Sequence, residues 1–366
     1  MPHLFSPLSL RSVTLPNRIG VSPMCQYSCE DGFANDWHFA HLSARAVGGA
    51  ALVFTEAAAV TPEGRISPQD LGVWSQKHFE PLERIARFID AQGAVAGVQL
   101  AHAGRKASTY RPWSGAGSLK AIDGAWPTYG PSAVAFADNF ATPEALTADG
   151  ILKITQAFAL AAARAVAAGF RAIEIHSAHG YLMHEFLSPF SNRRVDRYGG
   201  PLENRARLLA ECVEAVRGAI PDRIPVFVRL SCSEWTPGGF DIDEVVTLAR
   251  RLKTLGVDVV DCSSGGNVAT AVVPAGPGYQ VKFAERVRRD ADILTAAVGM
   301  ITSPAQADQI VRNGEADIAL LARAMLRDPY WALRAAAELG HAISWPAQYL
   351  RAGPHGAPQR QPAERA

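Results

Sequence analysis

Several features that mark specialised proteins are scarce or missing here. The chain of 366 residues has only five cysteines, Cys25, Cys29, Cys212, Cys232 and Cys262, with no C-x-x-C pair. Their odd number and wide spacing fit neither a disulfide framework nor a structural zinc site, and a four-thiolate iron–sulfur cluster needs a tighter ligand run. Reduced thiols are therefore expected. An excess of either charge is also absent: 36 Lys and Arg against 35 Asp and Glu leave a net +1, scattered along the chain, without the basic footprint that nucleic acid or an anionic bilayer requires. The N-terminal MPHLFSPLSLRSV has no basic region followed by a long apolar run, and no later segment reads as apolar over the width of a bilayer. No strand-like run is followed by G-x-G-x-x-G, and no G-x-x-x-x-G-K-[ST] occurs, which disfavours a doubly wound nucleotide-binding sheet. What remains is a cytoplasmic protein with a small-molecule partner, with no nucleic acid or membrane and with no structural metal site built on its cysteines.

A hydrophobic share of 48% with 19% charge can bury a large core. Eight short apolar runs, IGVSPM (19–24), ALVFTE (51–56), VAGVQLA (95–101), AIEIHS (172–177), VFVRLS (226–231), VDVVDC (257–262), ILTAAV (293–298) and DIALLA (317–322), alternate with Ala-, Leu- and Arg-rich stretches of helical period. Eight strand–helix pairs at this length predict an α/β protein, a (β/α)8 TIM barrel forming one domain over residues 1–340. LFSPLSLRSVTLPNR reads as a hairpin capping the barrel floor. Residues 107–148 form an aromatic, Pro- and Gly-rich excursion after the third strand, long enough to be a lid or binding loop. The tail, 341–366, is too polar for a core element and is either disordered or docked on something.

Chemistry in such a barrel gathers at the carboxyl ends of the strands. There the sequence places Pro23, Met24, Cys25 and Tyr27; Glu56 and Ala57; Gln99 and His102; His176, His179 and Tyr181; and Arg229. Gly299, with Thr302 or Ser303 ahead of Pro304, and Arg323 sit where barrels of this kind bind phosphate; turning a loop and pairing with an acid is the alternative reading. Gln99 and Arg229 lie in apolar strands. Together they suit the pyrimidine edge of a flavin that becomes anionic on reduction, and an internal pair of Arg229 with Glu174 is compatible with that. His176 and His179 can be read as metal ligands completed by Glu56 or Asp261, or as two donors aimed at a substrate oxygen; spacing alone does not choose. His38 and His41 are expected only to pack or to face solvent.

With NRIGVSPMCQYS, DWHFAHL, TPEGRISPQDLG, GVQLAHAGRKA, EIHSAHGYLMHEFLSPFSNRRVDRYGG, LENRARLL, FVRLSCSEW, PGYQV and AVGMIT on view, nearly the whole chain resembles the Old Yellow Enzyme family of FMN-dependent ene-reductases, in its xenobiotic reductase and thermophilic-like subclass. The resemblance implies an NADPH dehydrogenase using FMN, with NADPH or NADH as reductant. It implies hydride transfer from reduced flavin to the β-carbon of an activated alkene, an unsaturated carbonyl or nitro compound, and protonation of the α-carbon. By the same resemblance Pro23, Met24, Cys25, Ala57, Gln99 and Arg229 hold the flavin ring, and Gly299 and Arg323 its phosphate. Tyr27, His176 and His179 form the substrate pocket, with Tyr181 as proton donor. Arg351, in QYLRAG, matches an arginine that reaches a neighbouring subunit's site, implying a homodimer or homotetramer. Here the chain departs from the family: Arg351-Ala352-Gly353 replaces the usual Arg-Gly-Trp. The readings set against this one are another FMN barrel dehydrogenase, a metal-dependent hydrolase and a flavin-binding protein without turnover.

Overall fold

A computed structural model of the chain describes residues 1–360; the end of the expected tail, 361–366, lies outside the described residues. A hairpin, β1 (Leu8–Leu10) and β2 (Val13–Leu15), precedes β3 (Ile19–Val21), β4 (Leu52–Ala59) and β5 (Val95–Ala101). Two short strands, β6 (Tyr129–Gly130) and β7 (Glu144–Ala145), pair inside the excursion, followed by β8 (Ala172–Ser177), β9 (Val226–Ser231), β10 (Val259–Ser263), β11 (Leu294–Ala297) and β12 (Ile318–Leu321). β3, β4, β5, β8, β9, β10, β11 and β12 pair in chain order, all parallel, and β12 returns to β3 to close the barrel. All eight expected strands are present, with ends shifted by up to three residues. They read as unbroken apolar runs because both faces are covered: all eight residues of β4 are buried.

Helices fill the outer layer and begin where side chains satisfy their free N–H groups. Thr147 accepts from Gly150 N, Asp241 from the N–H groups of Asp243 and Glu244, and Ser303 from Gln306 N just ahead of Pro304. Of the two caps considered for the Pro304 helix, Ser303 holds the position. The helix Ala148–Ala167 corrects one expectation from the sequence. It has 20 residues, and an 18-residue window within it has a mean hydropathy of 1.3, which makes it long and apolar enough to span a bilayer. In the fold it packs against the helix Arg207–Ala219 and buries Ile151, Ile154, Phe158 and Ala162.

The barrel interior is filled at its floor by Leu52, Phe54, Val95, Phe227, Val259 and Ile318, onto which the hairpin lowers Leu10, Val13 and Leu15. Arg11 fastens this plug, its Nε 2.7 Å from Asp258 Oδ1 ahead of β10. Phe54 and Phe227 meet edge to face at 5.4 Å. Gly97 makes room for them: a Cβ there would fall 2.5 Å from the Phe54 ring. The described part of the tail docks on the same chain. Trp345 N donates to Pro358 O at 2.8 Å, and Arg360 reaches the carbonyls of Ala46 and Val47 at the end of the helix Asp36–Val47.

Truncating Phe54 to Ala would empty the centre of this floor, and a loss of about 3–5 kcal/mol in folding stability is expected from burial and cavity formation. Urea unfolding of the variant, with its midpoint lowered at unchanged slope, is the measurement.

Candidate active site

Strand register assembles the mouth. A bulge in β4 between Phe54 and Ala57, where Thr55 Oγ1 accepts from Gln99 N, sets Ala57 beside Gln99; Gln99 then lies beside Glu174, His176 beside Arg229, and Arg229 beside Asp261. The side chains follow that register. Gln99 Nε2 donates to Glu174 Oε1 at 2.7 Å, and Arg229 Nε stands 3.0 Å from Asp261 Oδ2. The pair considered between Arg229 and Glu174 is thus not formed, because Asp261 is directly across from Arg229 and Glu174 is taken by Gln99. Burial pushes Glu174 up to about 8, helped by the charge of Asp261, and pushes Asp261 up to about 6 against the pull of Arg229. Glu174 Oε2 and Asp261 Oδ1 are buried without a partner.

Above this layer, β8 runs into a reversal. His179 (φ 60°) and Gly180 (φ 71°) are both left-handed, and the opposing loop supplies Gly266 (φ 91°). The contact is close enough that a Cβ on Gly180 would lie 2.2 Å from Gly266 O. Lys106, from the loop after β5, staples the two segments, its Nζ donating to His179 O and Gly266 O at 2.9 Å each. Burial pulls its ammonium down to about 8.

The turn brings three rings together: His176 lies 5.1 Å from His179 and 5.1 Å from Tyr181, both edge to face. His176 Nδ1 accepts from Ala178 N at 3.3 Å, so a neutral ring carries its proton on Nε2. His179 Nε2 is 2.7 Å from Ser263 Oγ, which leaves Nδ1 as its outward nitrogen in this arrangement. Burial, reinforced by Arg229, holds both imidazoles well below their usual range, and burial lifts the Tyr181 hydroxyl well above its own. All three are neutral at physiological pH.

The loop after β3 completes the rim. Gln26 N donates to Glu56 Oε2 at 3.1 Å, and Glu56 Oε1 accepts from His38 Nε2 at 3.1 Å, with Cys29 Sγ 3.3 Å from the same nitrogen. His38 and His41 are both buried, and His38 also helps cap its own helix through Asn35. Far from merely packing, it braces the segment Pro23–Tyr27. Cys25 is half-buried; burial and the carboxylates Asp70 and Glu56 push its thiol well up. Tyr27 (φ 52°) meets Trp113 of the excursion edge to face at 5.7 Å. His102 lies behind the rim, its Nδ1 accepting from Gly104 N.

On the opposite side a cavity of ≈ 280 Å³ is lined by Ser263, Gln280, Gly299, Met300, Arg323 and Arg327, among others. Gly299 (φ 122°) is required there, since a Cβ would come within 2.8 Å of Gln280 Nε2. Arg323 is exposed and forms no ion pair among the described residues, contrary to the reading in which it pairs with an acid. Arg229 at the mouth, whose side chain has no partner among the described residues beyond its ion pair with Asp261, and an unpaired Arg323 beside a cavity lined by Gly299 fit the two ends of FMN, ring and phosphate. Arg351 does not join the cluster: it is exposed on the turn Ala347–Ala352. Sequence reasoning missed Lys106, Ser263 and Gln280; the first sits in GVQLAHAGRKA, and the second closes its strand, so both carried a positional signal.

Fold and site together define a barrel oxidoreductase with a phosphate-bearing planar cofactor. The pattern of the NADH:flavin oxidoreductase / NADH oxidase family matches residues 3–341. An NADPH dehydrogenase of Geobacillus sp. (strain WCH70) is 49% identical over 95% of this chain and 98% of its own, and one of Bacillus subtilis (strain 168) 46% identical over the same shares. Among solved structures, morphinone reductase superposes with a TM-score of 0.78 at 26% identity, over 93% of this chain and 91% of that one. The chain belongs to the NADH:flavin oxidoreductase / NADH oxidase family and is an Old Yellow Enzyme type of FMN oxidoreductase.

Replacing Gly266 by Ala forces a Cβ to 2.6 Å from the His179 backbone. The expected result is a stability loss of about 1–3 kcal/mol, from overpacking and left-handed strain. Denaturant titration of this variant beside Gly200→Ala, also left-handed but with nothing within 4 Å, separates the clash from the strain.

Proposed function

We propose that this chain reduces the C=C bond of α,β-unsaturated carbonyl or nitro compounds at the expense of NADPH or NADH. One observation carries the reading: a neutral imidazole with its Nε2–H free, a second imidazole 5.1 Å away and a protonated phenol 5.1 Å from the first converge at the barrel mouth over Gln99 and Arg229. Pro23, Met24, Cys25, Ala57, Gln99 and Arg229 would hold the FMN ring, and Gly299 and Arg323 its phosphate. FMN, when bound, supplies the hydride that the nicotinamide provides.

The residues do the rest. His176 donates from Nε2 to the substrate oxygen. His179 joins it through Nδ1–H when Ser263 O–H donates to its Nε2. Two neutral donors draw electron density toward the oxygen and stabilise the enolate-like charge that develops, without transferring a proton to it. Tyr181 O–H delivers the proton to the α-carbon. Tyr27 and Trp113 wall the pocket on the excursion side. Arg351 belongs to this proposal as a residue offered to a neighbouring subunit's site in a homodimer or homotetramer, and the cysteines, all free, suit a cytoplasmic setting.

The double variant His176→Ala/His179→Ala is expected to keep its yellow FMN spectrum and its bleaching by NADPH. Its reduction of cyclohexenone should slow by at least an order of magnitude, since one well-placed donor is worth roughly 2.7–4 kcal/mol in comparable sites. Anaerobic stopped-flow absorbance reads both half-reactions, and an unaltered rate of recolouring by cyclohexenone would remove the histidines from the mechanism.

A further inference from the structure

We propose that Asp70 is the proton store for Tyr181, returning the proton that the phenol gives up in each turnover across a small cavity through one water molecule. The inference rests on Tyr181 being the donor to the α-carbon.

Reduction of an alkene by NADPH consumes one proton from solvent per turnover, and Tyr181 is half-buried at the mouth, where a bound substrate would cover its open side, so a route for that proton is needed. Behind Tyr181 is a cavity walled by Ala59, Gly64, Ala101 and Ala103, in which Asp70 and Tyr181 are the only ionisable side chains. It has room for about one water molecule. Asp70 is 1% exposed, with Oδ1 accepting from Ser67 Oγ at 2.7 Å and Oδ2 from Ile66 N at 3.0 Å. Those two donors hold the carboxyl at the cavity wall and still leave each oxygen a second lone pair.

The surroundings favour a carboxyl that carries a proton near neutrality. Burial first, and then the charge of Glu56 on β4, push Asp70 up to about 7, against the hydrogen bonds from Ser67 and Ile66. Its other ionisable neighbours are Arg65 on the same loop, Cys25, Tyr27 and Cys29 on the loop after β3, and Tyr181 itself. Once Tyr181 has protonated the α-carbon, its tyrosinate oxygen takes a proton from the water, and the water takes one from Asp70. The carboxylate left behind recovers its proton from solvent before the next turnover. No electrons move in these steps, and the net change is one proton carried inward.

The test uses the FMN-loaded protein with NADPH and cyclohexenone, and compares Asp70→Asn with Ala101→Val, which fills the cavity but leaves the carboxyl. Both variants are expected to be reduced by NADPH within twofold of the wild-type rate. At pH 6 their steady-state kcat should be at least fivefold lower. The wild-type kcat should fall as pH rises through about 7, where Asp70 loses its proton, whereas Asp70→Asn should be flat and meet the wild type near pH 8.5. Wild-type turnover and pH profile in both variants would overturn the relay, as would an equal loss in flavin reduction, which marks structural damage. Tyr181→Phe is the control: if it turns over like the wild type, the donor assignment itself fails; if it is slow while Asp70→Asn and Ala101→Val are normal, only the relay does.

Discussion

The ion pair of Arg229 with Asp261, 3.0 Å apart beneath the barrel mouth, is the constraint on which the site is built. Both side chains are buried, and taking two charges from water costs several kcal/mol each before their attraction returns anything. Such a pair survives only if the surrounding frame is rigid and further polar partners are supplied. The frame is the closed barrel, whose register sets Arg229 directly across from Asp261 and beside His176. In the proposed function the further partner would be the FMN ring.

Burial sets much of the electrostatics around that pair, and its cation adds to it. Burial first, and then Arg229, oppose protonation of His176 and His179, so that both imidazoles remain neutral. Lys106, the other cation of the pocket, is tied to two backbone carbonyls and serves the loops. The nearby carboxyl of Glu174 is raised to about 8, first by burial and then by the charge of Asp261. Negative charge is thereby kept low in a pocket that must receive electrons.

Much of this was legible from the chain because each barrel strand is covered on both faces and so appears as a continuous apolar run, interrupted only where a side chain must work. Gln99, Glu174 and Arg229 stand out in VAGVQLA, AIEIHS and VFVRLS for that reason. Partner choice was not legible. Glu174 and Asp261 are both acids one strand away from Arg229, and only the register decided that Asp261 takes the guanidinium. His38 looked idle because its partners, Glu56 and Cys29, come from other elements.

Local pattern by itself determined the eight-stranded architecture, the floor hairpin, the long excursion and the roster of residues at the strand ends, because periodicity, caps and turn residues act over a few neighbours. Tertiary structure alone decided that Ser263 occupies His179, that Lys106 staples two loops, and that Asp70 shares a cavity with Tyr181. Those outcomes depend on distances between residues 70 to 160 positions apart, which the closing of the sheet sets and no local preference encodes.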